Sequence, residues 1–156
     1  MGKTNNEIMR KMNSIVSYKN FMHSPAQLAY AGDAVYELLV RSYIVDNYEC
    51  SVNKMHRIAV KFVKAKAQAN IIKELDYILT DEERKVVKRG RNSKVTSSPK
   101  NVDFMDYRYA TGFEALFGYL YLNHEIDRLL ELFNKTIEIL KKEDKDEDNR
   151  GKKSSD

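Results

Sequence analysis

The sequence predicts an all-α protein folded as a single domain of about six helices. Three observations carry that expectation. Apolar residues recur in long runs with a period near 3.6, and no run alternates convincingly at a period of 2. Ser, Thr and Pro stand where those runs begin, as helix starts require. A chain of 156 residues is enough for one core and too short for two comfortable ones. With 42% hydrophobic and 32% charged residues, the composition is that of a soluble globular protein. No apolar run approaches the roughly 18 to 20 residues that span a bilayer, and Lys3, Asn5, Asn6 and Glu7 leave no room for a signal-peptide core. A cytoplasmic protein with no membrane association is expected. Cys50 is the only cysteine, which excludes an internal disulfide or a thiolate zinc site within one chain.

Taken in order, residues 4–18 form a modest amphipathic pattern through Ile8, Met12, Ile15 and Val16. The next helix is expected over about residues 25–47. Ser24 caps it, Pro25 fits a first turn that needs no donor, and Leu28, Ala31, Val35 and Leu39 mark one stripe. Gly32 costs about 1 kcal/mol relative to Ala in a helix interior, and Asp33 lies off the apolar stripe. Two locally poor choices side by side point to a reason in packing or function. Ser51 caps a helix that the pattern Val52, Met55, Ile58, Phe62, Ile71, Leu75 carries to about residue 75. Nearly all its exposed positions are Lys, Arg, Gln or Asn, with no acid from Val52 to Lys73, so one side is basic.

Thr80 and Glu83 form a capping box for a short helix, with Gly90 as its expected stop after Arg89. Residues 91–101 lack periodicity and contain Pro99, so a long loop follows. A strongly apolar helix is expected over about 103–122, a break at Asn123 and His124, and a last helix over about 125–142 through Ile126, Leu129, Leu130, Phe133, Ile137 and Leu140. The domain is therefore assigned to residues 1–142, and residues 143–156 to a charged tail expected to be disordered.

The net charge is +4, and the pI near 9.0 points to a polyanionic partner. From Lys141 onward six basic residues balance six acidic ones, so the excess belongs to the folded part. Between Arg84 and Lys100 stand seven basic residues and no acid. His23, His56 and His124 lack metal-site spacing and read as structural or as contacts to such a partner, with His56 the best placed beside Arg57.

A second isolated acid, Glu114, sits in the run Thr111-Gly112-Phe113-Glu114-Ala115-Leu116-Phe117-Gly118. Gly112, Ala115 and Gly118 here, with Ala29, Gly32 and Ala34 on the earlier helix, would let two backbones approach closely. Carboxylates brought together that way repel unless a cation lies between them. Mg²⁺, which takes one or two carboxylates, keeps several waters and binds phosphate oxygens, is the economical solution and suits phosphodiester hydrolysis. The residues alone leave open a plainer reading, in which each acid caps or salt-bridges a neighbouring base.

Leu28-Ala29-Tyr30-Ala31-Gly32-Asp33-Ala34-Val35-Tyr36-Glu37 resembles the signature helix of the ribonuclease III family, and residues 111–122 resemble that family's second metal-binding helix. With Arg89-Gly90-Arg91-Asn92 and Tyr107-Arg108, the likeness is closest to the family's short bacterial branch, which has no separate double-stranded-RNA-binding domain. It covers roughly residues 24–135, and both motifs stand in the right order. The resemblance implies a ribonuclease III-like catalytic fold, with Asp33 and Glu114 as catalytic and metal-binding carboxylates and Mg²⁺ as cofactor. It implies cleavage of double-stranded RNA, usually in maturation of the large-subunit (23S) ribosomal RNA precursor, by a homodimer.

Larger family members carry further acids four residues before the first and three before the second; here those positions are Ala29 and Thr111. A further acid that they carry near the start of the next helix has no clear match. Arg89, Arg91, Asn92, Lys94, Lys100 and Arg108 are the candidates for RNA contact, since A-form duplexes are gripped through phosphates and 2′-hydroxyls. Glu37, one turn after Asp33, could assist through a water or form an ordinary salt bridge. Competing readings are a non-catalytic RNA-binding or ribosome-assembly module on the same fold, and a helical protein-interaction domain. Cutting both strands of a duplex needs two sites, and this chain has material for one, so a two-fold dimer is expected independently, with the Asp33 helix at its seam.

Overall fold

The computed structural model describes residues 23–93 and 100–153, and among them every regular element is helical. The elements are α1 (Pro25–Asn47), α2 (Val52–Val63), α3 (Ala65–Leu75), a 3₁₀ turn (Asp76–Ile78), α4 (Asp81–Arg91), α5 (Phe104–Leu122) and α6 (Ile126–Lys153). The expected amphipathic helix over residues 4–18 lies outside the described residues. α5 is the axis: it packs most extensively on α1, then on α4 and α3. Its buried residues, Ala110, Gly112, Phe113, Ala115, Leu116, Phe117, Gly118 and Leu120, run around most of its circumference.

α1 starts as expected. The Ser24 hydroxyl accepts from the Gln27 N–H, and the Gln27 side chain accepts from the Ser24 N–H (2.9 Å), a reciprocal box around Pro25. Its buried stripe is Leu28, Ala29, Gly32, Tyr36, Val40 and Ile44, rotated from the predicted Leu28, Ala31, Val35, Leu39. The rotation follows from which residues touch α5. Small ones do so at the crossing, and Tyr36 one turn later enters the core, edge-on to Phe113 (4.7 Å between centroids) and Phe117 (5.2 Å).

The Tyr36 hydroxyl donates to the carbonyl of Phe62 (3.1 Å). There the predicted continuous helix over 52–75 breaks: Lys64 is extended (ψ 145°), ending α2 and beginning α3. No Gly or Pro marks the break. A core hydroxyl meets a carbonyl at the end of the helix that the break would otherwise leave unpaired.

Two further expectations are corrected. Gly90 is not a helix stop, since α4 runs through it to Arg91 and ends at Asn92, whose N–H donates to the Lys88 carbonyl (3.0 Å). Its role is close approach: a Cβ there would come within 2.9 Å of both Ala115 Cβ and Gly112 Cα on α5. The segment expected to be disordered beyond residue 142 continues α6 as helix to Lys153. Along it Glu143, Asp144 and Glu147 line a cleft with Lys61, Lys64 and Lys66, and Asp144 pairs with Lys61 at 3.7 Å. Part of the basic side read on α2 and α3 is therefore already balanced within the chain.

The capping box of α4 is present as predicted and does more than cap. Glu83 is buried and accepts from Arg128 of α6 (2.9 Å to Nε), while Arg128 also donates to the Ile78 carbonyl (2.6 Å). Burial alone would raise the Glu83 pKa, but the hydrogen bonds from Arg128 and Thr80 and the guanidinium charge outweigh it and hold the carboxyl low.

The α1–α5 contact predicts its own sensitivity. A Cβ at Gly32 would overlap the Glu114 carbonyl oxygen, and one at Gly118 would overlap the Leu28 carbonyl, so backbone and not a flexible side chain blocks the space. Gly32→Ala is expected to cost at least the ~1–3 kcal/mol typical of overpacking despite Ala's better helix propensity. Urea unfolding measures it, and a stability equal to or above wild type would contradict this packing.

Candidate active site

Gly32 and Gly118 let α1 and α5 meet backbone to backbone. The consequence for the neighbouring side chains is direct. Asp33 follows the contact glycine and stays exposed at the rim, while Glu114, whose carbonyl faces Gly32, is half-buried beside it. The two acids predicted to converge are brought together, and the charge of Asp33 acts on Glu114. The small residues divide differently from the prediction. Gly118 faces α1, whereas Gly112 faces α4, where a Cβ would lie 2.8 Å from the Val87 carbonyl oxygen. Ala34 is exposed and takes no part in the crossing.

Burial is the main force on Glu114, pushing its pKa up to about 8; the charge of Asp33 adds to it, and a hydrogen bond from Gln68 opposes it. Asp33 is also raised, first by burial and then by Glu37. No base contributes to either shift, and neither acid has an ion pair among the described residues. Among the described residues, the plainer reading, in which each acid serves a structural salt bridge, finds no partner for either of them. Glu37 does behave that way: it pairs with Arg41 at 2.7 Å on the exposed face of α1.

Ala29 is buried against Leu28, Val86 and Ala115, and the Thr111 hydroxyl donates to the Tyr107 carbonyl (2.9 Å), so neither position offers a carboxylate. Among the described residues no three His, Cys, Asp or Glu side chains cluster as metal ligands. What the crossing offers is a pair of oxygen donors that no base among the described residues pairs with.

Gln68 was missed by the sequence reading, which placed glutamines on the exposed basic side. It is 2% exposed. The signal was available, because Gln68, Ile71, Ile72 and Leu75 follow the i, i+3, i+4, i+7 spacing of the buried stripe of α3.

The basic candidates form a second feature at the end of α4. Arg108 Nε donates to the Arg91 carbonyl (2.8 Å) and its Nη2 to Asn92 Oδ1 (3.3 Å). Arg91 Nη1 donates to the Tyr109 hydroxyl (3.3 Å), and Lys73 Nζ stands 4.4 Å from the centre of the Tyr109 ring. Lys73, Arg84, Lys88 and Arg91 with Tyr109 line one open cavity of about 390 Å³. Arg89 and Lys100 are exposed, and Lys94 lies outside the described residues.

Residues 26–125 match the Ribonuclease III domain family, a span that includes both carboxylates of the crossing. The chain belongs to the ribonuclease III family. Within that family it falls in the Mini-ribonuclease III branch. It is 47% identical over 133 residues to the Mini-ribonuclease 3 of Clostridium tetani, covering 84% of this chain and 88% of that protein. With the Mini-ribonuclease 3 of a Thermoanaerobacter species it shares 48% over 117 residues, 75% of this chain and 82% of the relative. A crystal structure of a Fusobacterium nucleatum protein superposes with a TM-score of 0.71 at 29% identity, over 78% of this chain and 99% of that one.

A member of the Mini-ribonuclease III branch is an endoribonuclease, in a family that acts on double-stranded RNA. Among the described residues no helix is long and apolar enough to cross a membrane.

The raised Glu114 pKa has a pH signature in metal-free protein. A carboxyl whose folded pKa exceeds its unfolded one stabilises most below the unfolded value of 4.5 and loses that contribution as pH rises toward about 8. In EDTA, wild-type Tm is expected to fall relative to Glu114→Gln across that window. Parallel Tm curves for the two proteins would show that Glu114 is not under this strain.

Proposed function

We propose that the chain hydrolyses double-stranded RNA with Mg²⁺ held between Asp33 and Glu114, and that its cellular task is maturation of the large-subunit (23S) ribosomal RNA precursor in the cytoplasm. The observation that carries the metal assignment is the pair itself: two acids with raised pKa values, close enough to interact and, among the described residues, with no base paired to either. Two hard oxygen donors, one exposed and one half-buried, fit an ion that keeps most of its waters. When bound, Mg²⁺ supplies an activated water and neutralises charge growing on the phosphorus oxygens. The chain's own part is placement. The glycine crossing fixes where the two carboxylates start, and the exposure of Asp33 leaves the pair open to a phosphate from solvent.

The substrate side of the proposal rests on charge and linkage. Arg91, Asn92 and Arg108 are tied to one another, so residues at the mouth of the loop share one support at the start of α5. Arg89, Lys94 and Lys100 add charge for the phosphates and 2′-hydroxyls of an A-form duplex. The catalytic unit is assigned to residues 1–142, with 143–156 as an appended charged segment.

Two sites for two strands require a second copy, and α1 carries a face suited to it. Tyr30 (86% exposed), Leu38 (66%) and Val45 (67%) are unpartnered apolar residues that fall with Ala34 and Arg41 on one stripe. Asp33 lies next to that stripe, so a two-fold axis there would set the two sites on either side of the seam.

Asp33→Asn and Glu114→Gln are each expected to lower Mg²⁺-dependent cleavage of a duplex RNA by about two to three orders of magnitude, the scale of losing one group that stabilises developing charge. Tm in EDTA should stay at or above wild type for both, and gel filtration should show the same dimer. Retained cleavage in either variant would reject the assignment. On a large-subunit precursor transcript, discrete cuts in duplex stems are expected; uniform degradation would argue against the proposed task.

A further inference from the structure

Among the buried side-chain polar atoms of the described residues, Gln68 Oε1 is the one with no hydrogen-bond partner. Its surroundings on α3 are apolar: Ala67 and Ala69 flank it, and Ile71, Ile72 and Leu75 continue its stripe. Met or Leu would fill that stripe without stranding an oxygen, so packing gives no reason for an amide. The nitrogen gives one. Its hydrogen bond to the Glu114 side chain opposes the rise in that carboxyl's pKa and so favours the ionised form, which only accepts; Nε2 is the donor that form needs, and Oε1 is left without a partner.

The identity of the donor matters as well. Lys or Arg would neutralise the pair and compete with a divalent ion, whereas an amide orients the carboxylate and leaves both negative charges in place. A Glu side chain has three rotatable bonds, and Glu114 is held here by a residue from a third helix, independent of the α1–α5 crossing.

We propose that Gln68 is a positioning residue for the cation site: its amide nitrogen holds the Glu114 carboxylate in the orientation that faces Asp33, and a buried unpaired oxygen is the by-product. The inference rests on the assignment of Asp33 and Glu114 as the ligands. It is tested on the full chain with Gln68→Met and Gln68→Leu beside wild type and Glu114→Gln, in three measurements. These are thermal unfolding in EDTA, Mn²⁺ binding by calorimetry without RNA, and duplex cleavage as a function of Mg²⁺ concentration.

Both Gln68 variants are expected to keep or raise Tm in EDTA and to bind Mn²⁺ about ten- to a hundredfold more weakly, the scale of removing a group that orients a metal ligand. Their cleavage should recover as Mg²⁺ is raised. Wild-type Mn²⁺ affinity in either variant, or a Tm in EDTA well below wild type in both, would overturn the positioning role. The control separates the two layers. If Glu114→Gln also binds Mn²⁺ and cleaves as wild type does, the ligand assignment itself fails; if only Glu114→Gln is impaired, the positioning role alone fails.

Discussion

The contact on which the rest of this molecule depends is the meeting of two helix backbones at Gly32 and Gly118. Each glycine gives up about 1 kcal/mol of helix propensity, and each faces a carbonyl that leaves no space for a methyl group. Because the helices touch there, the side chains beside the contact have no choice of neighbourhood. Asp33 and Glu114 emerge at the crossing, and one turn along α1 Tyr36 enters the core against Phe113 and Phe117. The same contact therefore sets both the acid pair and the aromatic centre of the core. α4 repeats the device on another face of α5, where Gly90 meets Gly112.

Two glutamates show how the fold separates stability from chemistry. Glu83 and Glu114 both lie among packed helices, and burial pushes both carboxyls up. Glu83 is answered by Arg128 and by the Thr80 cap, so its pKa ends low and it ties α4 to α6. Glu114 meets another acid and a neutral amide, so its pKa ends high. A buried ion pair contributes little net stability, but a buried acid without a base is a standing cost. The chain carries that cost at the crossing and nowhere else among the described glutamates and aspartates with this degree of burial. That asymmetry is what the assignment of an active site explains.

Much of this was legible in the sequence. Ser24-Pro25 and Thr80-Glu83 announced two helix starts, and an isolated acid among small residues in each of two apolar helices suggested the pair. The unread parts share a cause: each depends on what a residue meets, not on what it is. Gly90 has the look of a terminator and is a contact residue, because the decisive neighbour is Gly112 on another helix. Beside the break at Lys64, the Phe62 carbonyl is met by the Tyr36 hydroxyl, 26 residues away in sequence. The acids after Lys142 have the composition of a disordered tail, yet several lie along the lysines of α2 and α3. Gln68 was legible from its spacing but was assigned by its polarity.

The basic surface takes its meaning from the same separation. Part of the positive charge on α2 and α3 is balanced by α6, which leaves the end of α4 and the start of α5, with Arg91, Asn92 and Arg108 bound together, as the region where unspent charge adjoins the loop. α5 carries this region and Glu114 on one helix. The most direct test of the account is a crystal of the protein soaked with Mn²⁺ and read by anomalous scattering. A peak bridging the carboxylates of Asp33 and Glu114 is the predicted result; well-ordered carboxylates turned apart, with the manganese bound at other side chains, would contradict it.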